Sequence, residues 1–244
     1  MAVVVLAMTA CGRVGFSDND AADGDGADAA PTIPGLVAWY RFENRDGTDI
    51  PDSTGHGHTA RCVSENECSL LVPGRVGMSL QVDADVRYEV DPAPELDTPG
   101  AFTIAAWLYS TEPTLEFACA AAMPHGMYVE NAWTLCLDAS NNVFFATVAA
   151  LSTDTLLGPK IDLNEWHHVA VRWDGARKSV WIDGGMASEK TSVEASFDGS
   201  RVTIGHDLDD LTMRGQTFFG YVDELRIYNI ALPPADIAAL ANPL

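Results

Sequence analysis

Trp166-His167-His168-Val169-Ala170-Val171-Arg172-Trp173 runs into Asp174-Gly175, and the next stretch, 176–182, ends at Asp183-Gly184. This segment decides the fold class. His168, Ala170 and Arg172 alternate onto one face with the two-residue period of a strand, whereas Trp166, His167, Val169, Val171 and Trp173 cannot all share the other unless the strand starts after a bend. The apolar excess is that of a buried strand in a two-layer sandwich. Each Asp-Gly pair is a turn signal, because glycine accepts positive φ, and together they predict a hairpin or meander.

Working outward, the same short apolar and β-branched runs between Gly, Pro, Asp and Asn predict strands at 36–42, 79–82, 102–109, 134–137, 143–148, 202–204 and 220–228. Helical periodicity is confined to 233–240, which opens on proline at its first turn. No internal repeat of propeller or solenoid length occurs. The expected fold is all-β: a two-sheet antiparallel sandwich or jelly roll with a short C-terminal helix.

Composition fits one large domain: 47% of the 244 residues are hydrophobic, enough for a sizeable core. With 35 acidic against 14 basic residues, the net charge of -21 repels nucleic acid and anionic membrane surfaces, so neither is an expected partner. The surplus acid either serves Ca2+, a hard cation that takes oxygen ligands, or only confers solubility.

The ends of the chain differ in character from its body. Residues 2–10 are apolar apart from Thr9, too short to span a bilayer but sufficient for a signal-peptide core. Met8-Thr9-Ala10-Cys11 resembles a bacterial lipobox, which implies a signal peptide over 1–10, a lipid on Cys11 and an exported, envelope-anchored protein. Membrane attachment is then through the lipid alone. From 12 to 34 the chain is rich in Asp, Ala and Gly and cannot bury enough surface to fold, so 11–33 reads as an acidic tether and 34–244 as the folded domain.

Six segments, in order, carry a family resemblance. They are 35–43 (Gly-Leu-Val-Ala-Trp-Tyr-Arg-Phe-Glu), 52–58 (Asp-Ser-Thr-Gly-His-Gly-His), 72–77 (Val-Pro-Gly-Arg-Val-Gly), 102–107 (Phe-Thr-Ile-Ala-Ala-Trp), 166–170 (Trp-His-His-Val-Ala) and 219–229 (Phe-Gly-Tyr-Val-Asp-Glu-Leu-Arg-Ile-Tyr-Asn). Over about 36–240 the chain resembles the laminin-G-like or pentraxin-like jelly rolls of the concanavalin A-like superfamily. The resemblance implies a structural Ca2+ held by Asp52 and Asp223, with Glu43 a third carboxylate and loop carbonyls completing the shell. His56 and His58 stand where the family often has Asn. As a His-Gly-His pair they suggest either zinc or solvated turn residues.

Of five cysteines, Cys11 stands apart. Cys62 and Cys68 flank a short polar segment, and Cys119 and Cys136 lie on two runs that suit neighbouring strands. In an exported protein each pair is expected to be oxidised, adding about 2–3 kcal/mol apiece; a Cys-x5-Cys metal site is the alternative for the first pair.

Some enzymes share the superfamily fold, so catalysis is judged at residues. Glycosidases place two carboxylates about 5 Å or about 6.5–9.5 Å apart across the scissile bond. The strand motif Glu-x-Asp-x-x-Glu is absent here, as is a Gly-x-Ser-x-Gly elbow. A non-catalytic module that binds carbohydrate or a protein partner is therefore expected, ahead of a glycoside hydrolase or a purely structural adhesion protein. The segment 124–133, with His125, Tyr128, Asn131 and Trp133 together, offers the residue types of a sugar platform.

Overall fold

The structure, a computed structural model, describes residues 34–63, 68, 70–83, 86–113, 116–126, 130–149, 152–192, 195–208 and 216–242. The expectations for the signal peptide, Cys11 and the tether lie outside the described residues. So does Tyr128. Residues 33–244 form one compact unit.

In chain order the strands are β1 (Leu36–Tyr40), β2 (Ala60–Cys62), β3 (Leu71–Pro73), β4 (Met78–Val82) and β5 (Tyr88–Val90). There follow β6 (Phe102–Ser110), β7 (Phe117–His125), β8 (Glu130–Asp138), β9 (Asn142–Ala149) and β10 (Ser152–Lys160). The last are β11 (Trp166–Trp173), β12 (Arg177–Ile182), β13 (Gly185–Thr191), β14 (Val202–Ile204) and β15 (Gly220–Tyr228), before helix α1 (Pro234–Leu240). They build two antiparallel sheets. One runs β13-β12-β11-β6-β15-β4-β3 with β1 also on β15, and the other runs β10-β9-β8-β7-β14-β5-β2. The expected all-β sandwich with a C-terminal helix is what the chain adopts. No described helix is long and apolar enough to cross a membrane.

Alternation explains the core. From the first sheet Ile104, Ala106, Leu108, Val169, Val171, Val222, Leu225 and Ile227 point inward, and Leu135, Leu137, Val143 and Phe145 meet them from the second. Phe102 sits centrally, its ring 6.0 Å from Phe145, Trp173 and Phe197. Burying such a side chain contributes about 2–3 kcal/mol. β11 needs no bend: it is continuous from Trp166, which joins His168 and Ala170 on the outward face, while Val169, Val171 and Trp173 enter the core. α1 covers part of that outward face, where Ala105, Ala170, Trp181, Tyr228, Leu232 and Ile237 form a second apolar cluster.

Both expected disulfides are present, Cys62–Cys68 and Cys119–Cys136, which sets aside the metal alternative for the first pair. Cys119 and Cys136 are direct partners across β7 and β8, on the outer side of the second sheet beside Ala122.

Candidate functional site

The outward face of the first sheet can be read in rows, because strand register fixes which side chains lie beside one another. One row is set by Trp166 opposite Tyr109 and Tyr221 opposite Tyr109, on three adjacent strands. Their rings converge: Tyr109 lies 5.5 Å from Trp166 and 5.3 Å from Tyr221, and Trp166 lies 6.3 Å from Tyr221. All three are half-buried, so part of each ring faces solvent. Gly220 makes this possible. Its φ is 147°, and a Cβ there would collide with the Tyr109 carbonyl oxygen, so a side chain would push β15 away from β6.

The next row inward is closed. His168 and Asp223 both flank Trp107, and all three are buried. Arg75, on the turn between β3 and β4, lays its guanidinium 4.7 Å above the Trp107 ring, and Asp223 Oδ2 accepts the Val76 N–H at 2.8 Å. The turn is thereby pinned flat on the sheet and forms a wall beside the aromatic cluster. Glu43 pins its far side, accepting the Met78 N–H at 3.2 Å. Gly77, at φ 58°, leaves the space that carboxylate fills.

A register shift between Asp223 and Arg226, with Glu224 at φ 53°, is a bulge that puts two successive carboxylates on the outer side. Glu224 accepts the Trp39 indole N–H at 2.8 Å and pairs with Arg226 and Arg41. Among the described residues, Asp223 has no such cation. Burial pushes its carboxyl up to about 7, against the pull of the Val76 N–H, and among the described residues Oδ1 has no hydrogen-bond partner. Burial likewise pulls His168 down to about 3, helped by Arg226, so it stands neutral.

Of the carboxylates expected to share a metal, Asp223 and Glu43 brace opposite sides of one turn while Asp52 holds another. Asp52 Oδ1 accepts the N–H groups of Trp39 at 3.1 Å and Thr54 at 3.0 Å, while Oδ2 accepts the Thr54 hydroxyl at 2.7 Å and the His58 N–H at 3.3 Å. These four donors make Asp52 the organiser of its own turn. A Ca2+ shell needs six to eight oxygens, and Asp52 would have to release donors to join one. Nor are Asp52, Asp223 and Glu43 gathered: among the described residues, the three metal-ligating side chains with ligand atoms within 4.8 Å of one another are Asp162, Glu165 and His167. That group is largely exposed, and His167 already bonds Asp183 through Nδ1 at 2.9 Å. His56 Nδ1 engages the Val37 carbonyl at 2.8 Å and His58 faces Glu95 at 3.2 Å, so the two turn histidines point to different partners.

Among the described residues of the segment 124–133, two of the expected platform residues are not available on a surface. Trp133 is a core residue, and Asn131 is buried against Asp207 at 2.8 Å.

Residues 83–238 match the Laminin_G_3 family, described as the concanavalin A-like lectin/glucanases superfamily. The chain belongs to this family. Among curated proteins, no sequence matches this laminin-G-like domain. Its backbone is similar to domain 4 of AbnA, an extracellular arabinanase from Geobacillus stearothermophilus solved with arabinotriose (TM-score 0.68, 20% identity, covering 85% of this chain and 98% of that one). It is also similar to the binding domain of Paraclostridial Mosquitocidal Protein 1 (0.66, 15%, 85% and 52%) and to Trypanosoma rangeli sialidase (0.64, 15%, 86% and 32%). The chain thus spans about half of the former and a third of the latter. At these identities the likeness is one of fold.

Sequence reading missed Tyr109, Tyr221 and Trp166 as a group. They lie far apart in the chain, and only the pairing β11-β6-β15 brings them together.

Proposed function

We propose that this laminin-G-like domain is a non-catalytic carbohydrate-binding module of the bacterial cell envelope. The observation that carries the reading is the half-exposed cluster of Trp166, Tyr109 and Tyr221. Aromatic rings present a negative face that suits the polarised C–H groups of a sugar, while phenol and indole edges offer hydrogen bonds. The similarity in fold to an arabinanase domain solved with arabinotriose supports the same reading. Catalysis is disfavoured by the state of the acids: Asp223 and Glu224 are buried and committed to the turn, to Trp39 and to the arginines, and do not flank an open cleft. Two disulfides suit an oxidising compartment, in keeping with export; anchoring through Cys11 is part of the same proposal and rests on the lipobox-like segment 8–11.

A glycan array probed with the full chain, in Ca2+ and in EDTA, tests this. The expected result is selective glycan binding that persists in EDTA, because the rings need no metal. Absence of binding to any glycan in either condition would overturn it.

A further inference from the structure

The aromatic row continues beyond Tyr221. On β4 the register partner of Tyr221 is Gln81, and the Gln81 N–H donates to the Leu70 carbonyl at 3.2 Å, which places Leu70 at the end of the same row. Leu70 is 63% exposed and Gln81 is half-buried. Trp166, Tyr109, Tyr221 and Gln81 therefore cross four adjacent strands, and Leu70, the residue before β3, ends the row. At about 4.8 Å per strand the strip is roughly 19 Å long. The turn carrying Arg75 walls one side, directly above Trp107.

The composition of this strip selects a ligand class. It offers three rings, one amide and one aliphatic side chain, and none of these five groups carries charge. Acids stand beside it: Glu165 precedes Trp166 and lies with Asp162 and His167, and the exposed Asp83 lies two residues beyond Gln81. Arg75, the cation beside it, is stacked on Trp107. With a net charge of -21 behind it, the strip repels a polyanion at short range even at physiological salt.

Building on the carbohydrate-binding reading, we infer that the strip holds an extended, uncharged polysaccharide lying across the strands. One sugar ring rests on the aromatic cluster, and further units run over Gln81 to Leu70. Affinity then grows with chain length, because a terminal sugar meets only the cluster while a longer chain gains the amide and leucine contacts as well.

Affinity electrophoresis of the full chain through gels containing xylan, galactomannan or mixed-linkage β-glucan, against polygalacturonate and alginate, tests the inference. Retardation is expected by at least one neutral polymer and by neither polyanion. Trp166→Ala and Tyr221→Ala should weaken binding at least tenfold, with Trp166→Phe retaining most of it. Leu70→Ala and Gln81→Ala should weaken long chains severalfold and leave a disaccharide unaffected. Melting curves of the variants separate misfolding from lost contacts, and the variants at exposed Leu70 and half-buried Gln81 should melt as the wild type does. Stronger binding of the polyanions, or affinity that does not rise with chain length, would overturn the inference while leaving carbohydrate binding in place. Neutral-polymer binding indifferent to both aromatic substitutions would also overturn it. Failure to bind any polymer, together with a blank glycan array, would remove the underlying reading as well.

Discussion

Asp223 combines a fully buried carboxyl, an Oδ1 with no hydrogen-bond partner among the described residues, and a pKa raised by burial to about 7. Between its ordinary value and 7 the native state holds a proton that the unfolded chain has released, so this group makes stability fall as pH rises through that window. Asp223→Asn keeps an acceptor for the Val76 N–H and removes the ionisation. At pH 8 in EDTA the variant should melt a few degrees above the wild type, and at pH 4 the two should agree. A variant that melts lower at pH 8 would show that the charged form is favoured in the fold. Lys178 presents the complementary case. Its side chain is fully buried against Phe145, and its ammonium reaches Asp154, which Lys190 and Ser192 also bond. Burial pulls Lys178 down to about 8, with Asp154 opposing, so stability tied to this lysine rises between about pH 8 and its ordinary value. Asp154→Ala should cost about 2–4 kcal/mol in denaturant titrations, and adding Lys178→Met should recover much of it. No recovery would mean that the lysine is not the strained partner.

The elements show where sequence periodicity is informative. β6, β11 and β15 are long, largely apolar runs buried along most of their length, and each is legible from its residues. β7 is not, because Phe-Ala-Cys-Ala-Ala-Ala-Met-Pro-His has weak strand propensity and its inward positions shift at a bulge between Cys119 and Ala121. β10, polar along Ser152–Lys160, is a strand because its neighbour β9 demands pairing and because β12 and β13 close against it at the side of the sandwich. Tertiary context outweighs propensity in both. The disulfides cross-link at different scales: Cys119–Cys136 closes a separation of 17 residues between β7 and β8, and Cys62–Cys68 one of 6. Loop entropy then gives about 3 kcal/mol for the first and about 2 kcal/mol for the second. Paired Cys→Ala variants, unfolded in guanidinium, should rank in that order. The reverse order would point to residual structure in the denatured chain.

For the whole molecule, order and spacing of six short segments made the sandwich readable, and both disulfides followed from chain proximity and compartment. The site was less readable for a physical reason. A motif carries information along the chain, and so it led to Asp52, Asp223 and Glu43, of which the fold assigns Asp52 to its own turn and sets Asp223 and Glu43 against two sides of the turn between β3 and β4. The aromatic strip is written across strands distant in sequence, and only register assembles it. A competing aromatic pair, Phe117 and Phe144 with ring centroids 4.4 Å apart, lies beside Cys119–Cys136 on the outer face of the second sheet. Hydrogen–deuterium exchange of the full chain, with and without a saturating neutral oligosaccharide, discriminates the two faces most directly. The expected protection falls at the end of β6, the start of β11 and the start of β15, around Tyr109, Trp166 and Tyr221. Protection confined to β7, β8 and β9, around Phe117 and Phe144, would contradict the account.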